Sequence, residues 1–273
     1  MKKFKKVLVG LFAILLAVVA TACSNKSNSS KDGYTPKSLT IQFVPSQAAN
    51  KLEARAKPLE KMLSKKLGIP VHVSMSTDYN TVVEAMKSKK VDVGFLPPDG
   101  YVLAHKQGAA DVLLQSQRYG VKQPGGKATN KLVDYYRAEI LVKKGSKIKS
   151  WKDLKGKSIS VQNPTSSAGY VFPIAELGEK GLDVPKDCKL VTVTGQDQAV
   201  LNVLNGDTDA AFVFEDARNT VKKDNPKIMD QVVPIYFTKP IPNDTISVRS
   251  DMSKSFQKKL AKAFIEVGES KEG

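Results

Sequence analysis

The chain has 273 residues, 41% of them apolar, with 43 Lys and Arg against 27 Asp and Glu. That length excludes a single small core and fits one bilobal unit or two modest domains, while a formal charge of +16 suits a cell-envelope protein that meets anionic solutes. The lysines are scattered along the whole sequence with no aromatic-interleaved basic stripe, so no nucleic-acid partner is expected.

Lys2, Lys3, Lys5 and Lys6 precede an unbroken apolar run from Val7 to Ala20. About 14 residues fall short of the roughly 20 that a stable transmembrane helix needs, which predicts an export signal over residues 1–22. Its removal would lower the net charge from +16 to +12. Ala20, Thr21 and Ala22 offer small side chains to a signal peptidase, and Cys23 follows at once. This stretch resembles a bacterial lipobox, although the family prefers a larger aliphatic residue where Ala20 stands. The resemblance implies diacylation of Cys23 and membrane anchoring through two acyl chains; the alternative is an ordinary signal cleaved near Ala22. Residues 23–37 are rich in Ser, Asn, Lys and Gly and read as a flexible tether. With Cys23 lipidated, Cys188 has no disulfide partner and is read as a small buried hydrophobe.

From Ser38 onward, short β-branched runs alternate with amphipathic stretches: Leu39 to Val44, Val71 to Met75 and Val91 to Phe95 as strands, Ala48 to Leu67 and Asn80 to Lys89 as helices. Gly68 and Pro70 close the first helix. Lys122 to Lys131, with Pro124, Gly125 and Gly126, reads as a loop before a long strand from Tyr135 to Val142. After a short helical turn at Trp151 to Lys157 a second alternating block follows. Its strands are Ser158 to Val161, Leu190 to Val193 and Asp209 to Phe214, and its helices Ser167 to Lys180, Gln196 to Leu204 and Asp216 to Lys223. Val232 to Phe237 would return to a closing helix over Ser253 to Val267. The pattern predicts the α/β class, with two α/β lobes joined by two long hinge strands. Lobe 1 is expected to comprise 38–139 and 237–273, and lobe 2 to comprise 140–236. The sequence stops at Gly273 within a charged helical stretch, as a chain cut before its natural end would.

The run Asn163, Pro164, Thr165, Ser166, Ser167, Ala168 and Gly169 lies between the strand ending at Val161 and the helix expected from Ser167. Three hydroxyls at a helix start can receive an oxyanion, because first-turn amides lack intrahelical partners and the dipole's positive end faces outward. A plain helix cap would use the same residue types.

Strand, proline, Thr-Ser-Ser-Ala-Gly, then helix resembles the phosphonate, phosphite and phosphate binding proteins of ABC transporters, a branch of the type 2 periplasmic binding fold. Phe43 to Gln47, Asp92 to Pro97, Gly195 to Leu204, Asp209 to Asp216 and Pro242 to Asp251 follow the family's order, so the resemblance covers nearly all of the chain from Ser38. It implies that Thr165, Ser166 and Ser167 grip phosphoryl oxygens, with Gln196 where many relatives have a histidine. Glutamine donates through its amide but cannot become cationic. The resemblance also implies that Asp216, beside Glu215, and Asp244 meet an ammonium in relatives that take aminoalkyl ligands; both acids have ordinary readings as a cap and a turn residue. Phe43 and Leu96 fall at pocket-wall positions, and Tyr101 could replace a donor that Leu96 and Pro97 lack. The implied partners are a small phosphorus oxyanion, an ABC permease with its ATPase, and the membrane through the lipid. No cofactor or metal is expected.

His72 and His105 are the only histidines and stand far apart, which argues against a zinc hydrolase or a Ser-His-Asp triad. No phosphate-loop or dinucleotide glycine motif is present. The rival readings are a binding protein for another small anion or organic solute on the same frame, and a surface lipoprotein without transport.

Overall fold

The computed structural model describes residues 32–270; the export signal, Cys23 and the first part of the tether lie outside the described residues. Lobe 1 is built on a five-stranded sheet in the order β2-β1-β3-β14-β4. Its strands are β1 (Leu39–Phe43), β2 (Val71–Met75), β3 (Val93–Leu96), β4 (Ala110–Gln115) and β14 (Thr245–Arg249). β1 pairs in parallel with β2 and β3, whereas β14 runs antiparallel between β3 and β4. Lobe 2 has the order β10-β9-β11-β8-β12, from β8 (Ala138–Lys143), β9 (Ser158–Val161), β10 (Lys189–Thr192), β11 (Ala210–Phe214) and β12 (Val232–Phe237). There too the fourth strand is the antiparallel one. The two sheets thus share one topology, as a doubled α/β unit requires.

Each sheet is covered on both faces, which is why its central strands read as continuous apolar runs. In lobe 1, α1 (Ala49–Leu67) and α8 (Lys254–Gly268) pack over Leu39, Ile41, Val93 and Val248. On the other face α2 (Tyr79–Lys87) and α3 (Pro98–Lys106) enclose Val82, Val83, Met86 and Ala104. In lobe 2, α4 (Phe172–Glu179) and α5 (Val184–Asp187) cover Ile140, Ile159 and Phe212. α6 (Gln196–Asn205) and α7 (Ile228–Gln231) cover Leu141, Val200 and Val213.

Two extended segments cross between the lobes. One runs through β7 (Tyr135–Tyr136) into β8, the other from β12 through β13 (Ile241–Pro242) to β14, and β7 pairs with β13. The chain is already docked at Tyr34, four residues before the expected start of the folded part. Tyr34 bridges to Met252, and its ring lies 3.9 Å from the Arg249 guanidinium. A stretch with little to bury was still captured by backbone pairing and one cation–π contact.

Three local expectations are revised. Lys122 to Lys131 is not an open loop but most of a hairpin, β5 (Arg118–Lys122) with β6 (Lys127–Val133). The long strand breaks at Arg137 into β7 and β8. The helix after the hydroxyl run opens as a π-turn over Ser167–Val171, with Val171 N donating to Ser166 O at 3.0 Å, before α4 begins; π-turns of this kind recur at functional sites.

Candidate functional site

A cavity of about 540 Å³ opens between the lobes. Ser166, Ser167, Gln196, Asp216 and Asp244 line it together with Tyr79, Tyr136 and Arg118. The hydroxyl run is held there by a close approach that only glycine permits. Gln162 N donates to Gly169 O at 3.0 Å, and a Cβ on Gly169 would lie 2.3 Å from Gln162 Cγ. Ser166 Oγ accepts from Gly169 N at 3.2 Å, so this residue both caps its own turn and faces the cavity. Gln196 is oriented by its carbonyl end: Oε1 accepts from Phe214 N at 2.7 Å, which turns the amide NH₂ toward the Tyr79 hydroxyl.

Two tyrosines that carry no sequence motif complete the donor set. Tyr79 begins α2 with its hydroxyl beside Ser166 and Gln196, whose donors favour the ionised form; burial nonetheless pushes it up to about 12. Tyr136, on the crossing strand, has its hydroxyl beside Ser167 and is likewise raised well above its ordinary value by burial, with the Asp244 charge adding to the shift. Both phenols stay protonated and able to donate at any physiological pH.

The same loops also hold the lobes together directly. Ser167 Oγ donates to Asp99 Oδ2 of α3 at 2.6 Å, Asn163 Nδ2 donates to Asp78 Oδ2 at 2.7 Å, and Gln196 N donates to Ser46 O at 2.9 Å. Gly195 (φ +85°) lets α6 approach lobe 1, since a Cβ there would lie 3.3 Å from the Gln47 backbone. These bonds span the cleft and describe a closed arrangement of the lobes.

Four of the expected pocket residues do not line the cavity. Thr165 Oγ1 donates instead to Asn163 Oδ1 at 2.8 Å and to Asn80 Oδ1 at 3.1 Å. Phe43 stacks on Phe95 at 4.1 Å in the lobe 1 core. Leu96 is fully buried among the α2 and α3 contacts, and Tyr101 packs there with its ring 5.6 Å from His105. Their chain neighbours Val44 and Pro97 reach the cavity in their place, because successive strand residues point to opposite faces.

Three charged residues line the cavity: Arg118, Asp216 and Asp244. Arg118 Nη2 lies 2.6 Å from Asp216 Oδ1. Asp244 accepts at its backbone carbonyl from Ser116 Oγ. Although part of its surface opens to the cavity, burial raises its carboxyl from near 3.8 to about 6, opposed by Arg118. The proton is therefore held more tightly in the folded than in the unfolded state. Stability falls as pH rises from about 4 to about 6, and the whole penalty is present above that window. Asp244→Asn should raise the melting temperature of the ligand-free protein at pH 7.5, with the gain shrinking at pH 4; an equal effect at both values would contradict this.

Among the described residues no group of three or more His, Cys, Asp or Glu is placed to hold a metal ion, and no helix is long and apolar enough to cross a membrane. Two like-folded α/β lobes, two crossing segments and a polar interlobe cavity make up the two-lobed periplasmic binding protein fold. The chain belongs to the phosphonate periplasmic substrate-binding family of ABC transporters, whose model matches residues 41–273.

It is 30% identical over 213 residues to the phosphate-import protein PhnD of Mycolicibacterium smegmatis, covering 74% of this chain and 64% of that relative. It thus spans just under two thirds of that relative's length. It is 23% identical to the phosphonates-binding periplasmic protein of Escherichia coli K12, covering 86% of this chain and 68% of the relative. Among solved structures, PhnD1 of Prochlorococcus marinus in complex with methylphosphonate superposes with a TM-score of 0.72 at 18% identity, covering 87% of this chain and 88% of that one. An ABC phosphonate transporter binding protein from Pseudomonas aeruginosa gives 0.73 at 20% identity, covering 86% and 76%.

Proposed function

We propose that the protein is the extracytoplasmic solute-binding component of an ABC importer and takes a phosphonate, or a close phosphorus oxyanion, between its lobes. The observation that carries this reading is the convergence of neutral hydroxyl and amide groups on one cavity: Ser166, Ser167, Tyr79, Tyr136 and the Gln196 amide. Preformed hydroxyls and amides stabilise an anion without the desolvation cost of burying free ammonium groups. They also release it when the lobes part. The residues expected as one lobe, 38–139 with 237–273, would then move against 140–236, and the closed form would be read by a permease and its ATPase. Binding and presentation account for all of these features, and no residue is assigned a catalytic role.

Cys23 is the proposed lipidation site, holding the protein at the outer face of the cell membrane. Cys23→Ser should release the protein from the membrane fraction and abolish incorporation of labelled palmitate; unchanged membrane retention would contradict the anchor.

Calorimetry of the purified protein with methylphosphonate, aminoethylphosphonate, phosphite, phosphate and a sulfonate tests the ligand class. Binding in at least one phosphorus case, tighter than to the sulfonate, is expected. Binding to none of the phosphorus compounds would overturn the reading.

A further inference from the structure

Resting on the phosphorus-oxyanion reading above, we infer that Arg118 stands in the cavity wall as a built-in cation that makes the site favour ligands with uncharged substituents over those bearing an ammonium group. The donors to an oxyanion are neutral, so the charged lining residues must serve another end. They are two carboxylates and one guanidinium. Asp216 is already paired with Arg118 at 2.6 Å, both side chains being partly exposed at the cavity wall, at 29% for Arg118 and 22% for Asp216. The charge of Arg118 also acts on Asp244, where it opposes the effect of burial. An entering ammonium would have to displace the guanidinium from Asp216 or sit beside a like charge in a confined space.

Arg118 is not carried by a loose segment. It opens β5, and the hairpin is tied to lobe 2 at three points. Gln123 Nε2 donates to Glu215 Oε2 at 2.9 Å, Asn219 Nδ2 to Gly126 O at 2.7 Å, and Arg218 Nη2 to Pro124 O. The pair Arg118–Asp216 is therefore a fixed wall element that joins the hairpin to the turn Ala217–Thr220.

The test is calorimetry of the full chain in detergent at pH 8, where Asp244 is ionised, for wild type, Arg118→Gln, Asp216→Asn and the double variant. The probes are methylphosphonate, 2-aminoethylphosphonate and phosphonoacetate. Wild type should prefer methylphosphonate to 2-aminoethylphosphonate. Arg118→Gln should move the ratio of those two affinities at least tenfold toward the amine, since two carboxylates then face it without a cation. Asp216→Asn should move the ratio of phosphonoacetate to methylphosphonate in favour of the carboxylated ligand, because it frees the guanidinium. The double variant should show neither shift. Should one single variant fail to fold, the other still decides. Unmoved ratios, or a parallel loss of all three ligands in Arg118→Gln, would overturn the inference, the latter by placing Arg118 on the phosphonate itself. If wild type binds none of the three, it is the phosphonate reading that fails rather than the role of Arg118.

Discussion

Replacing Ser166 and Ser167 together by alanine is expected to weaken methylphosphonate binding at least tenfold, about 1.4 kcal/mol. Both residues are buried at the floor of the cavity, at 2% and 1% exposure, so their hydroxyls are held in place by the surrounding packing. They do not act alike. Ser166 lies beside Tyr79 and accepts from Gly169 N. Ser167 lies beside Tyr136 and donates to Asp99 across the cleft. The variant removes direct donors and one bond that closes the lobes, and both losses lower affinity. The lost cap should also cost about 1 kcal/mol of stability. Calorimetry beside thermal unfolding separates the two: a folded double variant with unchanged affinity would show that the run is only a cap.

The second large effect concerns stability. Arg218→Met should lower the unfolding free energy by about 3–5 kcal/mol, because it removes the cation facing a buried acid together with the donor to two backbone carbonyls. Glu139 is fully buried on β8, and Arg218 Nη2 lies 3.4 Å from its Oε2. Burial drives the Glu139 carboxyl well above its usual range, while Arg218 opposes it. Arg218 also donates to the carbonyls of Val232 and Pro124, so it joins β12, the hairpin and the turn that carries Asp216. Denaturant unfolding measures the loss. Adding Glu139→Gln to Arg218→Met should recover part of it, since the uncompensated charge is gone. No recovery would mean that the lost carbonyl bonds, not the charge, dominate.

The alternation of apolar runs made both lobes legible, because a strand covered on both faces leaves a strong signal such as Ile140 to Val142 or Ala210 to Val213. The hairpin was not legible. Along β5 and β6 every residue is exposed or only partly buried, so no apolar alternation marks the strands and Gly125 and Gly126 read as loop. The π-turn left no trace either. It sits where Gly169 packs against Gln162, seven residues back in the chain, a contact invisible to a periodic pattern.

The site divides the same way. Ser166, Ser167 and Gln196 stand at junctions that sequence marks with Pro164 and Gly195, and all three line the cavity. Tyr79, Tyr136 and Arg118 come from three separate segments, and only the crossing of the chain between lobes brings them together. A tyrosine at the start of α2 looks like a core residue, and it is also packed in one. The expected wall residues Phe43 and Leu96 missed the cavity by one position each, which reverses the face on a strand.

A crystal structure of the protein with methylphosphonate tests the central claim most directly. The phosphorus group should lie between the lobes, with its oxygens within about 2.6–3.2 Å of Ser166 Oγ and of at least one of Tyr79, Tyr136 and the Gln196 amide. A phosphonate held by lysines on an outer face, with those donors bonded only to one another, would contradict it.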